Sequence, residues 1–255
     1  EDDLIDFTPE LRQQALEIAS DYEMGPLFLP SLHRDNPDGK IASLHCPQSG
    51  VNISHPTSMD PETGIMYLSS SFSCYSRSLA PGHEMDDPED PFNTGVTIMD
   101  WVSGGPGGIS GPQGLPIWKP PYSQITAIDM NTGEHLWLVP NGDTPDRIKN
   151  HPALSGVDLP NTGQTRAAVT MVTGSLLITT EGPTGRPVLH ALDKKTGERV
   201  GTVQLPATGQ YGMMTYMHEG WQYIAVQAGS GGELSGSGLV VLALPGAASQ
   251  AEVHD

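Results

Sequence analysis

The stretch that decides the fold is Ile125-Thr-Ala-Ile-Asp-Met-Asn-Thr-Gly-Glu-His-Leu-Trp137. Ile125 and Ala127 share one face at a spacing of two residues, which is the period of a β-strand. The next residues predict a tight turn, because Asp and Asn side chains bond the backbone two residues on and Gly133 tolerates a positive φ. A returning strand then begins. The stretch is therefore predicted to be a β-hairpin that ends on a large aromatic anchor.

The same pattern recurs later in the chain, as His190-Ala-Leu-Asp-Lys-Lys-Thr-Gly-Glu-Arg-Val200. The positions that repeat are Ala191, Asp193, Thr196, Gly197 and Glu198. The second copy lacks the tryptophan, and Val200 is interpreted as lying near its place. One four-stranded sheet for every ~45–60 residues, each with such a turn, is typical of the blades of a β-propeller.

Other segments add hairpins of the same kind. Asp60-Pro-Glu-Thr-Gly64 predicts a turn before a strand at 65–70, and Gly174-Ser175 predicts a turn between strands at 167–173 and 176–180. The last sheet is predicted to have three strands, at 214–217, 221–227 and 239–244. No Thr-Gly turn follows it. We therefore predict an all-β partial β-propeller of about three four-stranded blades, with the last strand supplied by polypeptide outside this sequence.

Three segments do not fit the repeat. Residues 8–24 predict the single N-terminal helix, because Thr8 can cap it, Pro9 suits its first turn and Gly25-Pro26 can stop it. Residues 72–121 have no sustained period and are predicted to be a loop or an insertion beside a site. Residues 139–165 are predicted to be a polar loop.

Charge and composition exclude several classes of protein. The chain has 255 residues, only 12 Lys and Arg, and a formal net charge of −18. This balance argues against nucleic acid and anionic membrane surfaces, and favours neutral or cationic partners. No apolar run reaches the ~18–20 residues of a membrane span. The acidic residues at 84–90 are interpreted as a solvated loop that could steer a cationic partner. Motifs of hydrolases, zinc proteases and nucleotide-binding proteins are absent from the sequence.

The two cysteines, Cys46 and Cys74, leave two interpretations open. They are either buried thiols or one disulfide, and a disulfide would indicate an oxidising compartment. No spacing typical of structural zinc or covalently attached haem is present.

Together these motifs resemble those of the quinoprotein dehydrogenases, eight-bladed propellers that bind pyrroloquinoline quinone (PQQ). The paired Ala-x-Asp-x-x-Thr-Gly-Glu hairpins resemble the tryptophan-docking motif of that family. Further similar segments occur in family order along nearly the whole chain: Asp6-Phe-Thr-Pro-Glu-Leu-Arg12, Gly50-Val-Asn-Ile53, Asp60-Pro-Glu-Thr-Gly-Ile-Met-Tyr67, Lys149-Asn-His-Pro-Ala-Leu154, Met214-Thr-Tyr216, Trp221-Gln-Tyr-Ile224 and Ala228-Gly-Ser-Gly-Gly232.

The resemblance implies that residues 1–255 are the C-terminal portion of such a propeller, and that a companion chain carrying the N-terminal part completes the ring. It implies a periplasmic enzyme that uses PQQ and Ca²⁺ to oxidise an alcohol, polyol or sugar hydroxyl and passes electrons to a periplasmic acceptor. The catalytic base, the Ca²⁺ ligands and the family's vicinal cysteine pair are expected in the missing blades.

The resemblance also selects candidate cofactor-binding residues. Asn52 matches an Asn that faces the quinone ring, where an amide can donate to a quinone carbonyl. Gly229 and Ser230 match the closing-blade loop that approaches the quinone carboxylates. His55 lies three residues after Asn52 and is a weaker candidate for a proton carrier or substrate contact. No metal ligand is assigned to this chain.

Three other polar residues have structural interpretations. Asp129 and Asp193 could be taken for Ca²⁺ ligands, but turn formation explains them better, since the terminal Glu of a calcium loop is missing. His151 is interpreted as a residue that folds its loop.

The alternative function is a non-catalytic propeller scaffold that binds other proteins. Asn52 and Gly229 favour the enzyme, whereas Ile53 and Ser230 stand where the family usually has other residues and favour the scaffold.

Overall fold

The computed structural model describes residues 1–26, 28–46, 51, 57–85, 101–229 and 237–244. The helices within these ranges are α1 (Pro9–Ser20), α2 (Gly82–Met85) and α3 (Asp146–Lys149). The strands within them are, in chain order, β1 (Leu32–His33), β2 (Ser43–His45), β3 (Ser58–Asp60), β4 (Ile65–Ser71), β5 (Tyr75–Pro81), β6 (Trp101–Gly108), β7 (Ser123–Asp129), β8 (His135–Pro140), β9 (Thr170–Val172), β10 (Leu176–Thr180), β11 (Val188–Asp193), β12 (Arg199–Gln204), β13 (Gly209–His218), β14 (Trp221–Ala228) and β15 (Gly238–Ala243).

The chain divides into two units that interleave along the sequence. The first unit consists of Glu1–Gly50, Phe72–Pro120 and Asp146–Leu159, and the second of Val51–Ser71, Pro121–Pro145 and Pro160–Asp255. The first unit therefore contains residues 72–120, which lie between β4 and β7 in the sequence. β4 and β7 are neighbouring strands of one sheet.

The described residues of the second unit form three antiparallel sheets. We call them the first sheet (β3-β4-β7-β8), the second sheet (β9-β10-β11-β12) and the third sheet (β13-β14-β15). Their first strands contact one another in series, β3 with β9 and β9 with β13. The Ser58 hydroxyl donates to Thr170 Oγ1 at 2.7 Å, which joins β3 to β9. Sheets that meet along their first strands have the arrangement of propeller blades around an axis.

The hairpins predicted from the turn motifs are confirmed. In β7 and β8, Ile125 pairs with Val139 and Ala127 with Trp137. The second copy forms β11 and β12, and the predicted turns at 60–64 and 174–175 lie between paired strands. The third sheet has three strands among the residues that the structure describes, as predicted.

Trp137 joins the first sheet to the second. Its indole N–H donates to the Lys194 carbonyl at 3.2 Å. The ring lies against Gly197, where an added Cβ would be 2.8 Å from Trp137 Cε3. The Tyr67 hydroxyl donates to the same Lys194 carbonyl at 3.1 Å. The turn of the second sheet is thus the docking place for the aromatic anchor of the first, and Gly197 is required because a side chain would displace the ring.

The position of the missing second tryptophan needs a correction. Ala191 pairs with Gly201, as Ala127 pairs with Trp137. Gly201, and not Val200, therefore stands at the tryptophan position. Gly201 follows Gly197 by four residues, as Trp137 follows Gly133, and both hairpins carry the same register shift, so the spacing in the sequence itself points to Gly201.

The second and third sheets pack through apolar side chains. Met171, Ile178, Leu189, Leu205 and Val226 form the buried centre of this contact. Beside it lies a cavity of about 470 Å³, lined by residues of both sheets that include Gly201. The space beside Gly201 is open, since an added Cβ would meet only Ala191 Cβ, at 3.9 Å.

The first unit begins with α1. The Thr8 hydroxyl oxygen accepts from the Leu11 N–H at 3.2 Å, so the predicted N-cap is confirmed. Leu11, Ala15 and Ala19 are its buried residues. The helix ends at Ser20, earlier than predicted, because the backbone at Glu23 is bonded elsewhere: its N–H donates to Ala42 O and its carbonyl accepts from Leu44 N.

The prediction of an irregular segment at 72–121 was wrong in part. β5 pairs with β6 along its length on one side, and with β1 and β2 on the other. The buried residues of β5 are Ser76, Ser78 and Ala80. These are small or polar, so the strand lacks the apolar alternation by which strands are recognised.

The two cysteines form a disulfide. The Cα atoms of Cys46 and Cys74 are 4.5 Å apart, and the bond continues the pairing of β2 with β5 beyond His45 and Tyr75. This decides between the two interpretations that the sequence left open. In addition, none of the helices in the described ranges is both long and apolar enough to cross a membrane.

Candidate functional site

The predicted site residues fall unevenly on the structure. Asn52, His55 and Ser230 lie outside the described residues. Gly229 is described, and it directly follows β14 in the third sheet. Gly229 and the residues around it are therefore the part of the predicted site that the structure describes.

Gly229 is buried and held by the strand beside it. Its backbone N–H donates to the Thr208 carbonyl at 2.8 Å. An added Cβ would overlap the side-chain amide nitrogen of Gln210. The amide of Gln210 therefore occupies the place that a side chain at position 229 would fill.

An irregularity in β13 places Gln210 there. Gly209 pairs with Ala228 and Met213 with Val226, so three residues of β13 face the single residue Gln227. Bulges of this kind bend a strand, change the direction of its side chains and are frequent beside active sites. The extra residues bring the Gln210 amide over Gly229.

Thr208 adds an unpaired polar atom at the same place. Its Oγ1 is buried and has no hydrogen-bond partner within the described part of the chain. A buried hydroxyl without a partner is costly, typically ~1–3 kcal/mol. Thr208, Gln210 and Gly229 thus form a small polar cluster, which we call the third-sheet recess. It lies at the start of β13, the first strand of its sheet.

A second polar cluster surrounds Glu181, which directly follows β10 and is fully buried. Its Oε1 accepts from His190 Nε2 at 2.9 Å, and its Oε2 from Gln164 Nε2 at 3.0 Å. The Arg186 backbone N–H donates to Oε2 at 2.9 Å, and the Arg186 guanidinium bonds both oxygens. Each carboxylate oxygen therefore has more than one donor.

The hydrogen-bonding partners of Glu181 and Asp143 keep these two carboxyl groups ionised. Burial alone would raise the pKa of Glu181, but hydrogen bonds from His190 and Arg186 outweigh it and lower the pKa to about 2. The hydrogen bond to Glu181 in turn raises the pKa of Arg186. A hydrogen bond from Arg199 holds the pKa of Asp143 below its usual range. A carboxylate so saturated with donors is a poor proton acceptor, so Glu181 is a structural centre and not a general base.

Asp60 and Lys194 form a second buried ion pair. Lys194 Nζ lies 2.7 Å from Asp60 Oδ2 and also donates to the Thr173 carbonyl at 3.3 Å. Hydrogen bonds from Lys194 and from Thr63 lower the pKa of Asp60 to about 2. The pair joins the turn after β3 to the turn after β11.

The polar residues to which we gave structural interpretations behave accordingly. Asp129 Oδ1 accepts from the Asn131 N–H at 2.8 Å, and Asp193 Oδ1 from the Lys195 N–H at 2.8 Å. His151 Nδ1 accepts from the Ala153 N–H at 3.2 Å, at the start of a short 3₁₀ helix. Across the described ranges, no group of three or more His, Cys, Asp or Glu residues is placed to hold a metal ion.

Several of these residues were missed from the sequence. Gln164 and Gln210 belong to a repeated triplet, Thr162-Gly163-Gln164 and Thr208-Gly209-Gln210. This repeat could have indicated both glutamines, because the two triplets lie at or before the first strands of two successive sheets: the first precedes β9, and the second includes the start of β13. Glu181 gave no comparable signal, since its partners are spread over the sequence.

Comparison with known proteins places the chain in a family. The family model described as "PQQ: Glucose/ethanol/alcohol dehydrogenase, beta-propeller domain" matches residues 1–224. The glycerol dehydrogenase large subunit of Gluconobacter thailandicus is 32% identical over 216 residues, which are 76% of this chain and 28% of that protein. The quinoprotein glucose dehydrogenase of Escherichia coli (strain K12) is 31% identical over 175 residues, which are 65% of this chain and 22% of that protein.

Among solved structures, the quinohemoprotein alcohol dehydrogenase from Comamonas testosteroni aligns with a TM-score of 0.43 and 18% identity, over 74% of this chain and 25% of that chain. The chain thus spans about a quarter of the length of the curated relatives it matches, 28% and 22% for the two named above. Because the family match extends over residues 1–224, the chain belongs to the PQQ family of glucose/ethanol/alcohol dehydrogenase β-propeller domains.

Proposed function

We propose that this chain is part of a PQQ-dependent dehydrogenase that oxidises an alcohol, polyol or sugar hydroxyl. The observation that carries the proposal is the family match over residues 1–224. The named relatives, a glycerol dehydrogenase and a quinoprotein glucose dehydrogenase, support a polyol or sugar as the substrate class. When bound, the quinone supplies the acceptor for the substrate hydride. The catalytic base is expected outside this chain.

The third-sheet recess fits such a cofactor. PQQ is an oxygen-rich, anionic, planar group, which needs hydrogen-bond donors. The recess offers the buried Thr208 hydroxyl, which has no partner among the described residues, and the Gln210 amide, for which the glycine at 229 leaves room. Within the proposal, Gly229 and Ser230 contribute to the carboxylate side of the pocket, and the Asn52 amide donates to a quinone carbonyl. His55 remains a weaker candidate for a substrate contact.

We further propose that a companion polypeptide completes the ring. The face of the first sheet that points away from the second sheet exposes Met59, Leu136 and Leu138 by 46–53%. The corresponding face of the third sheet exposes Met214, Leu239 and Val241 by 46–69%. Apolar surface at both ends of a stack of sheets supports neighbours that cover it.

The compartment and the metal are also part of the proposal. The disulfide between Cys46 and Cys74 supports an oxidising compartment, here the periplasm, where an electron acceptor would take the electrons. Ca²⁺ is the expected second cofactor, and its ligands are expected in the companion polypeptide.

The test is reconstitution of the complete propeller that contains this chain. We expect PQQ, added with Ca²⁺, to bind stoichiometrically and to enable alcohol- or sugar-dependent reduction of an artificial electron acceptor. Absence of both PQQ binding and dye reduction in the assembled protein would overturn the proposal and favour a non-catalytic scaffold. Intact-mass measurement of the same preparation identifies the companion polypeptide.

A further inference from the structure

We propose that the side-chain amide of Gln210 donates a hydrogen bond to a carboxylate oxygen of the bound quinone cofactor. The inference rests on the proposed function and assigns a binding residue within it. It concerns only the third-sheet recess formed by Thr208, Gln210 and Gly229.

The backbone of Gly229 cannot itself be the donor. Its N–H is already donated to the Thr208 carbonyl at 2.8 Å, and the space beside its Cα is taken by the Gln210 amide. The glycine therefore makes room for Gln210, and Gln210 is the group that the third sheet presents at this place. The sequence motif pointed to a backbone contact at Gly229, whereas the structure points to the side chain of Gln210 as the donor.

The position of Gln210 along the fold points to the propeller axis. Gln210 is the second residue of β13, the first strand of its sheet, and the first strands of the three sheets contact one another in series. The extra residues of β13 opposite Gln227 set the direction of the side chain. Propellers surround a central channel with their first strands, so this is where a ligand on the axis would be met.

The preceding sheet shows what the same glutamine does when the protein supplies a carboxylate. Gln164, in the equivalent Thr-Gly-Gln triplet, donates from Nε2 to Glu181 Oε2 at 3.0 Å and to the Asp143 carbonyl at 2.8 Å. Gln210 has Gly229 beside it in place of an acid, and its amide makes no hydrogen bond to any residue that the structure describes. The glutamine of the first triplet, Gln164, thus donates to a carboxylate of this chain. The glutamine of the second triplet, Gln210, has N–H donors that can bind a ligand carboxylate.

The chemistry suits an anionic ligand in an acidic protein. The chain has a net charge of −18, so an anion is attracted only where donors are gathered locally. A glutamine amide supplies two N–H donors without adding a charge to be desolvated. The Thr208 hydroxyl, which lacks a partner in the described residues, supplies a further donor within the recess.

The experiment measures PQQ affinity in the complete propeller, without substrate, by equilibrium dialysis and absorbance. We expect Gln210→Ala to weaken PQQ binding by ~10–150-fold, because it removes a hydrogen bond to a charged group. We expect Gln210→Glu to weaken it by at least as much, because it places a carboxylate against a carboxylate. The thermal midpoint of the cofactor-free protein should be unchanged in both variants. A structural role for Gln210 would instead lower that midpoint.

Gln164→Ala is the matched control, and we expect it to lower the cofactor-free thermal midpoint while leaving PQQ affinity within twofold. If the wild-type propeller binds PQQ and Gln210→Glu binds within twofold of it, the assignment of Gln210 is wrong and the proposed function stands. If the wild-type propeller itself does not bind PQQ, both the proposed function and the assignment fall.

Discussion

The two contacts between neighbouring sheets are made in different ways. Between the first and second sheets, a docked tryptophan, a buried ion pair and a hydroxyl pair cross the contact: Trp137 to Lys194, Asp60 to Lys194 and Ser58 to Thr170. Between the second and third sheets the contact is apolar, Gly201 stands at the tryptophan position and a cavity of about 470 Å³ lies beside it. Both copies of the turn motif form a hairpin within a sheet, but only the first copy ends in an aromatic residue that packs on the next sheet. We therefore expect the contact between the first and second sheets to contribute more to the free energy of unfolding than the contact between the second and third.

The largest expected effect comes from removing the anchor. Trp137→Ala should lower the free energy of unfolding by about 3 kcal/mol, because it deletes a large ring packed on Gly197 and breaks the bond to the Lys194 carbonyl. Urea denaturation followed by circular dichroism measures the change. Val200→Ala, at an outer-strand residue that is 57% exposed, is the control and should stay within about 0.5 kcal/mol. Equal effects of the two substitutions would contradict the comparison.

Removing the ion pair should have a smaller effect that depends on pH. Lys194→Met leaves the buried Asp60 carboxylate without its cation and should lower the thermal midpoint by roughly 5 °C at pH 7. The pKa of Asp60 is lowered to about 2, from an unfolded value near ~4. A lowered carboxyl pKa stabilises the fold above the unfolded pKa, and this stabilisation disappears as pH falls through the folded pKa.

The difference between wild type and Lys194→Met should therefore be full above pH ~5 and shrink as the pH approaches ~2. Thermal melts at several pH values measure it. Lys195→Met, at the exposed lysine next in sequence, is the matched control and should show no such dependence. A Lys194→Met effect that is constant from pH 7 to pH 2.5 would show that packing of the lysine stem, and not its charge, stabilises the contact.

The sequence predicted the parts of the fold that local chemistry determines. The hairpin at β7 and β8 follows from turn residues that act within a few positions, such as Asp129 and Gly133, and these contacts are present. Because the turn motif is local, its two copies sufficed to predict the blades. The sheet built on β5 escaped prediction, since Ser76 and Ser78 are buried although they are polar.

The candidate site was less predictable, because its contacts are distant in sequence. Glu181 is bonded by Gln164 and His190, and neither spacing corresponds to a helix or strand period. Gly229 could be selected from its motif, but the overlap of an added side chain with Gln210 depends on the shifted register of β13.

The smallest expected effect is a gain. Gly201→Trp should raise the free energy of unfolding by about 1 kcal/mol, since the indole would fill part of the cavity between the second and third sheets. Gly201→Ala is the control, because its methyl group would meet only Ala191 and should change stability by less than about 0.5 kcal/mol. Urea denaturation of both variants gives the difference that belongs to cavity filling. If Gly201→Trp is instead less stable than Gly201→Ala, the cavity cannot accept the indole ring. The contact between the second and third sheets would then be complete without a docked tryptophan.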